Sequence, residues 1–313
     1  MSGLRQERVI IDTDIGGDPD DATAISLALA SPEMMIEGIT TVYSDVHYHA
    51  RRVARLLELA GSRPIPIYHG LNQTLLRNRN VSWTSDSDTQ DDSGMGDLLD
   101  QGSQPPNAGH AVDFIVRSVT NHPGEITLVC IGPLTNIAAA IIMEPRVIRQ
   151  VKQLIVMGGV TRLGSNGAEL YPVEHNIKCD PEAASVVFSS GAPIVMVGLD
   201  VTCKVTVSRR ETQRLIDSGK PVNAALADVI ERWLQRIGED RTPMHDPLAM
   251  ALAIDRTLVT TRRMKVQVVY DHREGTGQTV AVADPHGTVE VALDVDADRF
   301  LDLLFNRLCD GGK

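Results

Sequence analysis

The chain predicts a single large α/β domain: a mostly parallel central sheet flanked by helices, with a small group of strands at the C-terminal end. Three observations carry that expectation. Short apolar runs alternate with segments of helical periodicity. The first strand passes into its helix through a polar, glycine-containing turn, as strands do at the carboxyl edge of an open α/β sheet. The 313 residues are 42% hydrophobic and contain no evident linker, so one large core is within reach.

The first unit opens on Val9, Ile10 and Ile11 and continues as Asp12-Thr13-Asp14-Ile15-Gly16-Gly17-Asp18-Pro19-Asp20-Asp21-Ala22, with Ala22, Ile25, Ala28 and Leu29 at helical spacing. Side chains alternate along a strand, so Asp12 and Asp14 share a face. Gly16 and Gly17 let the backbone turn and return Asp20 and Asp21 to the same neighbourhood. Five carboxylates this close repel one another. Either some hold a proton at raised pKa, or a hard cation with oxygen ligands balances them. The cation is favoured over a solvated acidic turn that merely caps a helix.

A second strand is expected over 35–42 and a helix over 47–60, stopped by Gly61. Between them lies Asp45, a candidate to reach the same site or to cap the helix. A short strand follows within 64–70. Residues 77–110 turn polar, with Asp86, Asp88, Asp91 and Asp92 among serines and glycines and with Trp83 and Met95 as apolar contacts. So long a loop suggests a lid. A helix over 111–120 precedes a buried-looking strand over 126–131, broken by Gly132-Pro133 before Leu134-Thr135-Asn136 starts another helix. That turn offers the Thr135 carbonyl or side chain beside the sheet's end.

The strand over 153–157 runs into Gly158-Gly159 and a loop to Glu174-His175-Asn176. In an extended segment Glu174 and Asn176 face one side, and a carboxylate beside an amide suits the vicinal hydroxyls of a sugar. The alternative is a loop held by its own polar side chains. Asp180-Pro181-Glu182 has the form of a structural helix start. A strand over 193–198 and helices over 208–218 and 221–237 come next. The stripe of Ala224, Ala225, Val229, Trp233 and Ile237 is explained by core packing. His245-Asp246 opens an apolar helix, and a histidine beside an aspartate could donate a proton to a leaving group. Strands over 264–270, 279–282 and 288–293 and a helix over 298–308 close the chain.

A net charge of −11 disfavours a nucleic-acid polymer or an anionic membrane as partner and suits a small neutral or cationic substrate. Cys130, Cys179, Cys203 and Cys309 form no CxxC pair, and the first residues carry no apolar signal core, which together suggest reduced thiols in a cytoplasmic protein. No apolar run approaches the ~20 residues of a membrane helix.

Five of these motifs occur in one order across nearly the whole chain: the aspartate cluster, Gly132-Pro133-Leu134-Thr135-Asn136, Met157-Gly158-Gly159, Glu174-His175-Asn176 before Asp180-Pro181-Glu182-Ala183-Ala184, and His245-Asp246-Pro247-Leu248-Ala249. In them the chain resembles the nucleoside hydrolase family, the inosine-uridine-preferring N-ribohydrolases. The resemblance implies the Rossmann-like nucleoside hydrolase fold as one domain over 1–313, with 77–110 as a lid or loop and 204–244 as a helical segment on the substrate side. It implies hydrolysis of a nucleoside to free base and ribose. By the same resemblance, Asp14, Asp21, Asp246 and the main-chain carbonyl of Thr135 would hold Ca²⁺. Asp14 would be the general base, and His245 would protonate the departing base. Asp20, Glu174 and Asn176 would bind ribose hydroxyls, and Met157 would line the pocket. Homo-oligomers, dimers or tetramers, are usual in that family.

Three departures stand out. The turn from Asp14 to Asp21 is two residues longer than the family's common Asp-Pro-Gly-x-Asp-Asp form, so Asp18 could displace one of the assigned ligands. Asp45 stands where many members carry asparagine at a ribose contact. The loop before Glu174 lacks a clean Asn-x-Thr-Pro run, which leaves Asn166 as the candidate sugar contact there. Two other classes remain open on sequence. Asp12-x-Asp14 after a strand also resembles the opening of haloacid-dehalogenase-like Mg²⁺ phosphohydrolases, and a non-catalytic calcium- or sugar-binding module would use the same acids.

Overall fold

The structure is a computed structural model that describes residues 6–76, 97–105, 107–164 and 170–310. The elements in chain order are β1 (Glu7–Thr13), α1 (Asp20–Leu29), β2 (Met34–Thr41), α2 (Val46–Leu59), β3 (Ile67–His69), β4 (Asn107–His110) and α3 (Ala111–Asn121). Then come β5 (Ile126–Cys130), α4 (Thr135–Met143), α5 (Val147–Gln150), β6 (Gln153–Met157), α6 (His175–Cys179), α7 (Pro181–Ser189), β7 (Ile194–Val197) and α8 (Leu199–Thr202). The last are β8 (Thr206–Ser208), α9 (Arg209–Asp217), α10 (Pro221–Ile237), β9 (Arg241–Pro243), α11 (His245–Ala251), β10 (Val259–Val268), β11 (Thr279–Ala283), β12 (Val289–Val295) and α12 (Ala297–Asp310).

Among the described residues, ten strands form one sheet in the order β11-β10-β12-β7-β6-β5-β1-β2-β3-β4. β1 pairs in parallel with β2 on one side and β5 on the other. The chain therefore winds outward from β1 in one direction through β2, β3 and β4, and in the other through β5, β6 and β7. Such a reversal opens a crevice at the carboxyl ends of the strands, where open α/β sheets take their ligands. Asp12 and Asp14 leave β1 there, and the turn from Ile131 to Thr135 leaves β5 beside them.

Both faces of the sheet are covered, which is why its central strands are apolar on both sides. On β1, Val9 and Ile11 pack into one core with Ile25 of α1, Val53 of α2, Val229 of α10, Leu248 of α11 and Phe300 of α12. Ile10 points the other way, into a core with Phe114 of α3, Ile137 of α4 and Val187 of α7. Met157 belongs to the first core and Val156 to the second, the same alternation carried to β6.

The expected small C-terminal strand group is present as β10, β11 and β12, and it joins the central sheet, because β12 pairs in parallel with β7 and continues it to an antiparallel edge, β10 and β11. Two other expectations are corrected. The polar stretch 77–110 ends in a strand, β4, parallel to β3. Before it, Leu99 is fully buried and Asp97 grips the buried Arg52, so this part is anchored scaffold. Residues 77–96, with Trp83, Asp86, Asp88, Asp91, Asp92 and Met95, lie outside the described residues. Finally, residues 175–179 form helix α6 where an extended segment was expected.

All four cysteines are free thiols. Among the described residues, no helix is long and apolar enough to cross a membrane.

Candidate active site

The floor of the crevice is acidic. Asp12, 1% exposed, accepts from Thr40 Oγ1 and from Asn136 Nδ2 (2.8 Å) at Oδ1, while its Oδ2 is buried without a partner. Burial pushes its pKa up to about 7, against the pull of those two hydrogen bonds. Asn136 also donates to Thr41 O (3.1 Å) and accepts from Leu71 N (2.9 Å), tying β1, the end of β2 and the loop after β3 to the start of α4.

Asp14 is raised well above the ordinary carboxylate range by burial and then by the charge of Asp18. Asp20 and Asp21 form the first turn of α1, where α1 packs against α11, which carries Asp246 in its own first turn. Carboxylate oxygens of Asp18, Asp20 and Asp21 all lie within 4.8 Å of one another, so the two-residue extension brings Asp18 into the cluster. Burial raises Asp21, whose Oδ1 accepts from Thr13 Oγ1, and the charges of Asp14, Asp18 and Asp20 raise it further. Asp246 is raised by burial and then by the charges of Asp20, Asp21, Asp18 and Asp14. Burial also raises Asp20, and its Oδ1 is buried without a partner.

Among the described residues, no lysine or arginine forms an ion pair with Asp12, Asp14, Asp20, Asp21 or Asp246. Carboxylates crowded this way, with orphaned oxygens and no cationic side chain, are the donor set of a hard divalent cation. Thr135 starts α4 alongside. Its hydroxyl donates to Asp180 Oδ2 at 2.7 Å, and the resemblance assigns its main-chain carbonyl as the ligand atom. The β5 turn sits close to the acids, since a Cβ on Gly132 would lie 2.8 Å from Asp14 Oδ1.

Glu174 and Asn176 do stand together, by a different geometry from the one expected. Glu174 is the N-cap of α6: Oε1 accepts from Asn176 N (2.7 Å), and Oε2 accepts from Ile177 N (3.0 Å) and Gly159 N (2.9 Å). Asn176 Nδ2 donates to Ile131 O (3.1 Å) and Met157 O (3.3 Å), joining the carboxyl ends of β5 and β6. Met157 is thereby held at the same place. Asp180 is structural as expected, capping α7 through Ala183 N at 3.1 Å.

His245, at the first position of α11, lies within electrostatic reach of Glu174 and Asp18; burial lowers its pKa and those two acids work against the shift. Its Nδ1 is 2.7 Å from Thr202 Oγ1. Neither Thr202 nor Asn136 has a role legible from the sequence alone, although Asn136 lies within a quoted motif. Asp45 is exposed and caps α2, its Oδ1 accepting from His47 N (3.1 Å) and Tyr48 N (2.9 Å). No hydrogen bond or ion pair links it to the aspartate cluster among the described residues. Asn166 lies outside the described residues. Of segment 204–244, α10 packs against α9 and α2.

The family model described as inosine-uridine preferring nucleoside hydrolase matches residues 9–302. The chain is 33% identical over 314 residues to the pyrimidine-specific ribonucleoside hydrolase RihA of Citrobacter koseri, covering 96% of this chain and 97% of that one. Two solved structures are similar at 32% identity over 97% of this chain and 99% of theirs: the purine-preferring ribonucleoside hydrolase from Gardnerella vaginalis, with a TM-score of 0.83, and the plant nucleoside hydrolase PpNRh1, with a TM-score of 0.80. The phosphohydrolase alternative raised by Asp12 and Asp14 loses its ground with these matches. An acidic crevice at the sheet's reversal, a histidine across it and a match over nearly the full length agree: the chain belongs to the inosine-uridine preferring nucleoside hydrolase family and is a nucleoside N-ribohydrolase.

Proposed function

We propose that this enzyme hydrolyses the N-glycosidic bond of ribonucleosides to free base and ribose in a calcium-dependent reaction, with Asp14 as general base and His245 as leaving-group acid. The observation that supports this is the buried acidic set Asp14, Asp20, Asp21 and Asp246 at the end of β1, which no lysine or arginine pairs with among the described residues, with His245 next to Asp246 in the first turn of α11. Asp14, Asp21, Asp246 and the Thr135 carbonyl would hold Ca²⁺, and Asp18, with a carboxylate oxygen within 4.8 Å of oxygens of Asp20 and Asp21, would add a further acid beside Asp21. When bound, the ion supplies Lewis-acid polarisation and neutralises the cluster's charge.

The chain's own groups then divide the work. Departure of the base builds positive charge on the ribose ring, and an anionic crevice stabilises that charge more than it does the neutral ground state. Asn176 spends Nδ2 on two carbonyls and offers Oδ1 to a ribose hydroxyl. The oxygens of Glu174 and Asp20 accept further hydroxyls, and Met157 supplies an apolar wall. Asn166 and Asp45 are additional sugar contacts in the same reading. Fixing the sugar in this way removes much of the entropy from the barrier. Asp14 takes a proton from the attacking water, and His245 gives one to the base nitrogen as its bond to the sugar breaks.

The relatives named above differ in the base they are named for, so a panel of inosine, adenosine, guanosine, uridine and cytidine tests the proposal. At least one is released as free base and ribose by the wild type, and Asp14→Asn folds normally with turnover reduced by about 100-fold or more. An Asp14→Asn enzyme at wild-type rate would remove Asp14 as the base.

A further inference from the structure

Helix α8 is four residues long and wholly buried, and two of its side chains reach the site. Asp200 accepts from Thr161 N (2.7 Å) and Gly164 N (3.2 Å) and so holds the loop that leaves β6. Thr202, two residues on, is 0% exposed and places Oγ1 2.7 Å from His245 Nδ1.

We propose that Thr202 is the positioning residue for His245: its hydroxyl occupies Nδ1 and sets the ring so that Nε2 is the nitrogen presented to the departing base. The proposal rests on the reading of His245 as leaving-group acid. An imidazole has two nitrogens and can be turned over about its ring axis, so an acid acting from one of them needs something to tell them apart. A hydroxyl tells them apart whether it accepts from Nδ1–H or donates to a bare Nδ1, since both arrangements fill that nitrogen. Thr202 is itself tightly placed. It is β-branched, its N–H donates to Gly198 O (3.1 Å), and its carbonyl accepts from Val205 N (3.3 Å). No solvent reaches the hydroxyl to compete for the ring. From the imidazolium, whose Nδ1–H donates to Thr202 Oγ1, the Nε2–H bond breaks as the proton passes to the base nitrogen, which keeps the electron pair of the glycosidic bond, and the ring is left neutral.

The test compares Thr202→Val, Thr202→Ser and His245→Ala on two substrates. One is the nucleoside cleaved fastest by the wild type; the other is p-nitrophenyl β-D-riboside, whose leaving group needs no proton. Thr202→Val should lower kcat on the nucleoside by about tenfold, leave KM within about twofold, and leave p-nitrophenyl riboside turnover within about twofold. Thr202→Ser, which restores the hydroxyl, should recover the nucleoside rate. Thr202→Ala carries the same comparison if the valine variant does not fold. Equal losses on both substrates would mean a merely structural role, and no loss on either would mean no role; each overturns the proposal. If His245→Ala is selective for the nucleoside while Thr202→Val is not, the positioning role alone fails. If His245→Ala lowers both substrates equally, the acid reading fails and the positioning role falls with it.

Discussion

Replacing Asp12 by asparagine separates the electrostatic cost of the acidic floor from the rest of the fold. Burial raises the Asp12 carboxyl from 3.8 to about 7, so the folded protein keeps a proton that the unfolded chain gives up near pH 4. A raised carboxylate contributes stability that is present below about pH 4 and lost as pH climbs to about 7. At ~1.4 kcal/mol per pH unit, that span of about three units is worth roughly 4 kcal/mol as an upper figure. Asp12→Asn abolishes the loss and keeps an acceptor for Thr40 and Asn136. It also places an N–H group where Oδ2 has no partner, which costs about 1–3 kcal/mol. In chelator, the variant should therefore be less stable than wild type by about 1–3 kcal/mol near pH 4 and more stable by about the same amount at pH 8. Urea unfolding midpoints at the two pH values measure the difference. Equal destabilisation at both would show that Asp12 is ionised in the fold without penalty, and the burial argument would be wrong.

His245→Ala should cost more turnover on nucleosides than on p-nitrophenyl β-D-riboside, by about 100-fold as a ratio of kcat/KM, because only the nucleoside's leaving group needs its proton. Arg52, 1% exposed, pairs with Asp97 at 2.8 Å and Asp100 at 2.6 Å, so Arg52→Met strands the buried Asp97 carboxylate and the half-buried Asp100 and should lower unfolding free energy by about 3–5 kcal/mol in urea titrations. The double variant Arg52→Met, Asp97→Leu should recover much of that loss, since it leaves less buried charge unpaired.

Much of this molecule is legible in its sequence where local chemistry punctuates the chain. Pro221 in the first turn and Gly238 at φ 69° bound α10 at the residues expected from sequence, and Ser208 with Glu211 forms the capping box that starts α9. The β1 turn is legible because five carboxylates in so short a stretch need an explanation beyond capping. What is missed is short or non-local. β4 is a four-residue edge strand paired on one side alone, and such a strand demands little apolar sequence. Glu174 was expected in an extended segment because a five-residue helix leaves no periodicity to detect. The pairing of β12 with β7 and the contact of Thr202 with His245, 43 residues apart, arise from packing that no local pattern encodes.

Ribose release by the purified enzyme, measured with a reducing-sugar assay on its best nucleoside after exhaustive chelation and again after calcium is restored, probes the acidic cluster at its working point. A divalent ion held by Asp14, Asp21, Asp246 and the Thr135 carbonyl predicts that turnover is lost on chelation and returns with about one calcium bound per chain. Full turnover in protein shown by metal analysis to carry no divalent cation would contradict it.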